Sequence, residues 1–195
     1  GYKQSGGSGS MGYEMYARMV QRVLHESGGL GLGFHILPED VVVELYKKRF
    51  IPEKYIALES VRMSVYKSLT SATRDKELDD ILYNLVNRFG PVPDPVTSLI
   101  KESRLRLVAS RVGICSLVRR PCGVVCSVKN RDEQNYASAV IACAENFFNE
   151  GKMKYHVVPT KKAVLSLCVH LKNNEDIYSL FSRFLGKFDA LVLVN

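Results

Sequence analysis

Side chains capable of chemistry occur along this 195-residue chain, but their spacing rarely lets them act together. Cys168 and His170 alternate within one apolar run, so both fall on the same face of a strand. A thiol beside an imidazole base is the minimum for nucleophilic catalysis. Two half-buried strand residues explain the same spacing without it. Ser5, Ser8 and Ser10 sit in the glycine-rich stretch GYKQSGGSGS, a poor place to hold attack geometry, and no G-x-S-x-G elbow occurs. Acids come as adjacent pairs, Glu39-Asp40, Asp79-Asp80 and Asp132-Glu133. Neighbours on a helix point about 100° apart, which suits neither a shared metal nor a shared proton. The phrase GGLGLGFH at 28–35 has a G-x-G but no lysine for phosphates and no strand before it, so it reads as a turn. Zinc is not expected, since no CxxC pair occurs and His25, His35, His156 and His170 lack ligand spacing. The residues argue against an enzyme: no catalytic, metal-binding or cofactor-binding residue is expected.

Charge is more suggestive. Of a formal net charge of +7, much is local: Lys101, Arg104, Arg106, Arg111, Arg119 and Arg120 lie within twenty residues that hold a single acid, Glu102. A patch built on Lys101, Arg104, Arg111, Arg119 and Arg120 would suit phosphate or an acidic protein surface. No aromatic residue interleaves it, so a base-stacking platform is not indicated. A solvated helix face is the plainer alternative.

Composition sets the remaining bounds. Hydrophobic residues make up 46% and charged residues 24%, enough to build an ordinary core. No apolar run reaches the roughly 18 residues of a membrane span, and no signal peptide is recognisable. The five cysteines, Cys115, Cys122, Cys126, Cys143 and Cys168, lie in apolar stretches and read as small buried hydrophobes in a reducing cytoplasm. The chain begins with Gly1 rather than methionine, which suggests a processed or excised piece.

Helical spacing of Tyr13, Tyr16, Val20, Val23 and Leu24 predicts a helix near 12–26, stopped by Gly28-Gly29. DVVVELY at 40–46 suits a strand, and Pro52 marks a turn. A helix is expected near 58–69, and another over 74–89 with Thr73 as N-cap and Gly90-Pro91 as stop. A third, near 95–112, should turn Val96, Leu99, Ile100 and Leu107 inward and Lys101, Arg104 and Arg111 outward. Beyond Gly113 the pattern predicts strands at 113–119 and 123–129, a helix at 132–149, strands at 154–159 and 163–171, and a helix at 174–187. LVLV at 191–194 reads as a further edge strand. The fold class is α+β, with a helix-rich first half, then a ββαββα half whose sheet is mainly antiparallel or mixed.

Several phrases in order carry a family resemblance. FIPEKYI (50–56), VRMSVYKSLTSA (61–72), ELDDILYNLVNRFGPVPDPV (77–96) and RLRLVASRVGI (104–114) resemble the C-terminal domain of bacterial transcription-repair coupling factors. YKQSG (2–6), with Gln4, resembles the end of that family's translocation motif, and GYEMY from Gly12 follows at the family's spacing. The intervening GSGSM fits a native connection or an inserted linker equally. Residues 116–195 match no family phrase. The resemblance implies an arm and helix over 1–39 and a regulatory domain over 40–195.

It further implies a non-catalytic, autoinhibitory domain. Such a domain docks on the parent's own N-terminal UvrB-like domain and masks the surface for UvrA. The parent would use ATP and Mg to translocate on double-stranded DNA and displace stalled RNA polymerase, with its ATPase motifs upstream. No membrane partner is implied. The docking patch would comprise Asp80, Asn84, Asn87 and Arg88, although the family usually places acids where this chain has Asn84 and Asn87. The alternative is a nucleic-acid-binding module on the 101–120 patch.

Overall fold

A computed structural model describes residues 36–121, 123–128, 134–151, 153–158, 165–171 and 176–193. Gln4, the helix expected at 12–26 and the turn at 28–35 lie outside these residues. After a 3-10 turn at Pro38–Asp40 comes a three-residue strand, β1 (Val42–Glu44). Three helices follow: α1 (Glu59–Ser71), α2 (Asp75–Phe89) and α3 (Asp94–Arg111). The second half runs β2 (Ile114–Arg120), β3 (Gly123–Val128), α4 (Gln134–Glu150), β4 (Tyr155–Val158), β5 (Leu165–Val169) and α5 (Ile177–Leu193). The class is α+β, and the sheet is mixed, in the order β1-β2-β3-β5-β4.

Local chemistry explains most boundaries. Gly90 ends α2 at φ +82°, where its N–H caps the Val86 carbonyl. Pro93 and Pro95 then preset the start of α3. The N-cap of α2 is Arg74, not Thr73, and no side chain caps it. Glu77 reaches back instead, accepting the N–H of Thr73, the residue before the N-cap, at 2.8 Å. Gly123 is required by packing: a Cβ there would lie 2.0 Å from the Val169 carbonyl oxygen on the neighbouring strand.

Two expectations fail for physical reasons. The strand anticipated at 40–46 shrinks to 42–44 and does not stay with the helical half, because it pairs parallel to β2 with Val43 opposite Leu117. Leu191, Val192 and Leu193 of LVLV form no edge strand, since α5 continues through Leu193. No glycine or proline interrupts the run from Phe188, and a short apolar stretch cannot by itself distinguish helix from strand.

Two cores result. In the helical core Leu69, Leu78, Leu85, Val96, Ile100 and Leu107 are buried together with Ile51 and Ile56 from the turn before α1. The sheet core closes on Leu117, Val124 and Leu167, with Phe148 from α4 and Phe181, Phe184 and Phe188 from α5. Helix α3 serves both, sending Val96, Ile100 and Leu107 into one core and Leu105 and Ala109 into the other. The sequence pattern had assigned it a single inward face. A helix buried on two sides has little amphipathic contrast to read.

Candidate docking surface

The outer face of α2 follows from its buried one. Leu78 and Leu85 are sealed in the core, and Ile81, Leu82 and Phe89 pack against it. Helical periodicity then turns Asp80, Asn84, Asn87 and Arg88 to solvent, and all four are exposed. Among the described residues Asp80, Asn84 and Asn87 have no hydrogen-bond or ionic partner. Arg88 lays its guanidinium over the Phe89 ring, 5.0 Å from the centroid. Its neighbour Asp79 is engaged, accepting from Arg104 of α3, which also meets Asp75 at 3.5 Å.

Apolar side chains border these polar groups. Tyr83 is 69% exposed, Met63 of α1 59% and Val86 44%. Beside them a groove of about 310 Å³ runs between α1 and α2, lined by Val65, Ser68, Ile81, Asn84, Arg88 and Phe89, among others. Exposed apolar side chains together with unpaired amides and one cation have the composition of a releasable protein interface. It offers no nucleophile–base pair and no convergent ligand set.

The cations of 101–120 do not form one open patch. The Lys101 ammonium lies 5.4 Å from the centre of the Tyr178 ring on α5. Arg104 is held by α2, and its hydrogen bond to Asp79 strengthens its grip on its proton. Arg111 donates from Nε and Nη2 to Asp189 of α5, at 3.2 and 3.0 Å to Oδ2. Arg106 is largely buried, donates to the Leu69 carbonyl at the end of α1, and burial lowers its pKa. Arg119 and Arg120 remain exposed at the end of β2.

Sequence reasoning missed two arrangements. Glu102, the lone acid among these cations, is only 7% exposed. Its Oε1 accepts the N–H groups of Leu45 and Tyr46 at 2.8 and 3.0 Å, while Arg49 approaches Oε2 at 3.4 Å. It therefore satisfies the chain as it leaves β1. Burial raises its pKa despite those donors. His156 and His170, fourteen residues apart, meet ring to ring across β4 and β5. A 14-residue gap resembles no ligand motif, and only strand register reveals the meeting. Cys168 and His170 do share a strand region, but the Cys168 side chain is fully buried.

The family model of the TRCF domain matches residues 45–139. The transcription-repair-coupling factor of Escherichia coli (strain K12) is 30% identical over 142 residues, covering 70% of this chain and 12% of that protein. That of Helicobacter pylori is 28% identical over 117 residues, 60% of this chain and 11% of the relative. The chain thus spans about an eighth of the length of such relatives. A crystal structure of the C-terminal domain of transcription-repair coupling factor superposes with a TM-score of 0.61 at 16% identity, over 77% of this chain and 94% of that one. At that identity the likeness speaks for the fold.

Proposed function

Since this chain belongs with the transcription-repair-coupling factors and carries their TRCF domain over 45–139, we propose that it acts as an autoinhibitory clamp. It docks through the outer face of α2 onto a UvrB-like domain elsewhere in a longer parent and masks the surface that binds UvrA. The observation that carries the reading is a contrast in pairing. On the outer face of α2 Asp80, Asn84 and Asn87 have no side-chain partner, and Asn84 and Arg88 line the groove against α1, while the cations of α3 are tied internally. The parent's ATP- and Mg-dependent translocation on double-stranded DNA, and its action on RNA polymerase, belong to this proposal.

Linkage gives the clamp its strength. A domain that covers a site lowers apparent affinity in proportion to the time it spends closed. Docking worth about 2–4 kcal/mol would suppress binding roughly 30- to 1000-fold. Asn84 and Asn87 keep hydrogen bonding but offer no charge to an arginine opposite, so the interface here depends on amide bonds, Arg88 and the exposed apolar side chains.

The test is binding in trans. The chain should bind the parent's UvrB-like segment in a calorimetric titration, and Arg88→Glu should weaken that binding about tenfold while leaving the melting temperature within a degree or two. No binding at concentrations a hundredfold above those of the full-length protein would overturn the clamp. The geometry favours it over a nucleic-acid module, because Lys101, Arg104 and Arg111 already have intramolecular partners.

A further inference from the structure

His156 and His170 are brought together by strand register alone. His156 stands opposite Cys168 in the β4–β5 pair, and the His170 N–H donates to the Lys154 carbonyl at 2.8 Å. The two histidines are therefore diagonal neighbours on one face of the sheet. Nδ1 of His156 lies 2.9 Å from Nε2 of His170, and the ring centroids are 5.0 Å apart. The contact is solvent-exposed, so as a hydrogen bond it contributes little, because water offers each ring a comparable partner. It also lies outside residues 45–139.

The spacing suits a different task. With metal–nitrogen bonds of about 2.0–2.1 Å, two imidazole nitrogens at a right angle on one ion sit about 2.9 Å apart, and at the tetrahedral angle about 3.3 Å. We infer that His156 and His170 form a bidentate site for a divalent transition-metal ion of the kind imidazole favours: zinc, nickel or copper. In the metal-free pair one ring donates its N–H to the other. On binding, that ring shifts its proton to its outward nitrogen, so both facing nitrogens present lone pairs. The aquo ion gives up two waters, and no net proton is released from the neutral pair. β4 and β5 hold the two backbones in place beforehand, so little ordering is needed. Among the described residues no third His, Cys, Asp or Glu joins them, which leaves the remaining positions on the ion to water. Lys154, whose carbonyl accepts the His170 N–H, is two residues from His156 on the same face.

The experiment is a calorimetric titration of the chain with zinc chloride, repeated with nickel chloride. Four variants are compared with the wild type: His156→Ala, His170→Ala, His170→Gln, and a control with both His25 and His35 changed to alanine. Far-ultraviolet circular dichroism checks that each variant is folded, and His170→Gln, closer in volume to histidine, serves where the alanine variant does not fold. The expected result is one ion per wild-type chain and per control chain. Loss of either ring should weaken binding about a hundredfold, because the second ligand acts at high effective concentration. A folded His156 or His170 variant that binds as tightly as the wild type would overturn the assignment. So would a wild-type chain that takes up no ion at submillimolar metal.

Discussion

The outer face of α2 and the outward side of α3 finish their surfaces in different ways. Along α3 the polar groups have partners within the fold: Arg104 meets Asp79, Arg111 meets Asp189, and Glu102 accepts from the backbone after β1. On α2 an untied row of Asp80, Asn84 and Asn87 turns outward along with Tyr83 and Val86. Charge density along the sequence does not separate these fates; the residues from 101 to 120 look the more interactive of the two stretches. Only the packing of α1, α2 and α5 around α3 shows that much of that charge has already found a partner. A surface left unsatisfied by its own fold is the better guide to an external one.

The contrast predicts unequal responses to mutation. Phe184, fully buried among Phe147, Phe148 and Phe181, should cost about 3–5 kcal/mol on truncation to alanine, read by chemical denaturation. Tyr83→Ala should change stability by about 0.5 kcal/mol or less. Comparable losses from the two would erase the distinction between sealed and open regions.

Glu102 comes next. Glu102→Ala strands two backbone N–H groups and should cost about 2–4 kcal/mol, whereas Glu102→Gln keeps the accepting oxygen and should cost less. Burial raises the carboxyl's pKa in the folded state, so protonation favours folding. That stabilisation is present below the unfolded value of about 4.3 and is lost as pH rises through the folded one. The stability difference between wild type and glutamine variant should therefore move in favour of glutamine from about pH 4 toward neutrality. A difference independent of pH would contradict the raised pKa.

The smallest effect belongs to the Arg111–Asp189 pair. Arg111 is partly exposed, so solvent screens the bidentate geometry, and a double-mutant cycle with Arg111→Ala and Asp189→Asn should give a coupling of about 0.5–1 kcal/mol. Zero coupling would mean that this ion pair does nothing to hold α5 to α3.

Much of the helical half was legible because its signals are local. The stripe Leu78, Leu82, Leu85 and Phe89, the Gly90-Pro91 stop and the outward placement of Asp80 and Asn84 all follow from periodicity within one turn or two. What escaped depended on distant partners. β1 is too short to declare its neighbour, and Val43 finds Leu117 more than seventy residues away. Thr73 looked like a cap, but Glu77 supplied the bond. Lys101 and Arg111 looked outward until α5 covered them, and no spacing rule anticipates that His156 will meet His170. The asparagines at 84 and 87 were visible from the start; their lack of any internal partner was not.

Helix α3 has a consequence for how the molecule comes apart. Because Ile100 and Leu107 belong to one core while Leu105 and Ala109 belong to the other, neither core can lose its packing without exposing a helix the other needs. The two halves are thus one cooperative unit, with α3 amides exchanging with solvent only as fast as the whole domain opens. The outer turns of α2 carry no such burden, and a partner can grip or leave them at little risk to the fold beneath.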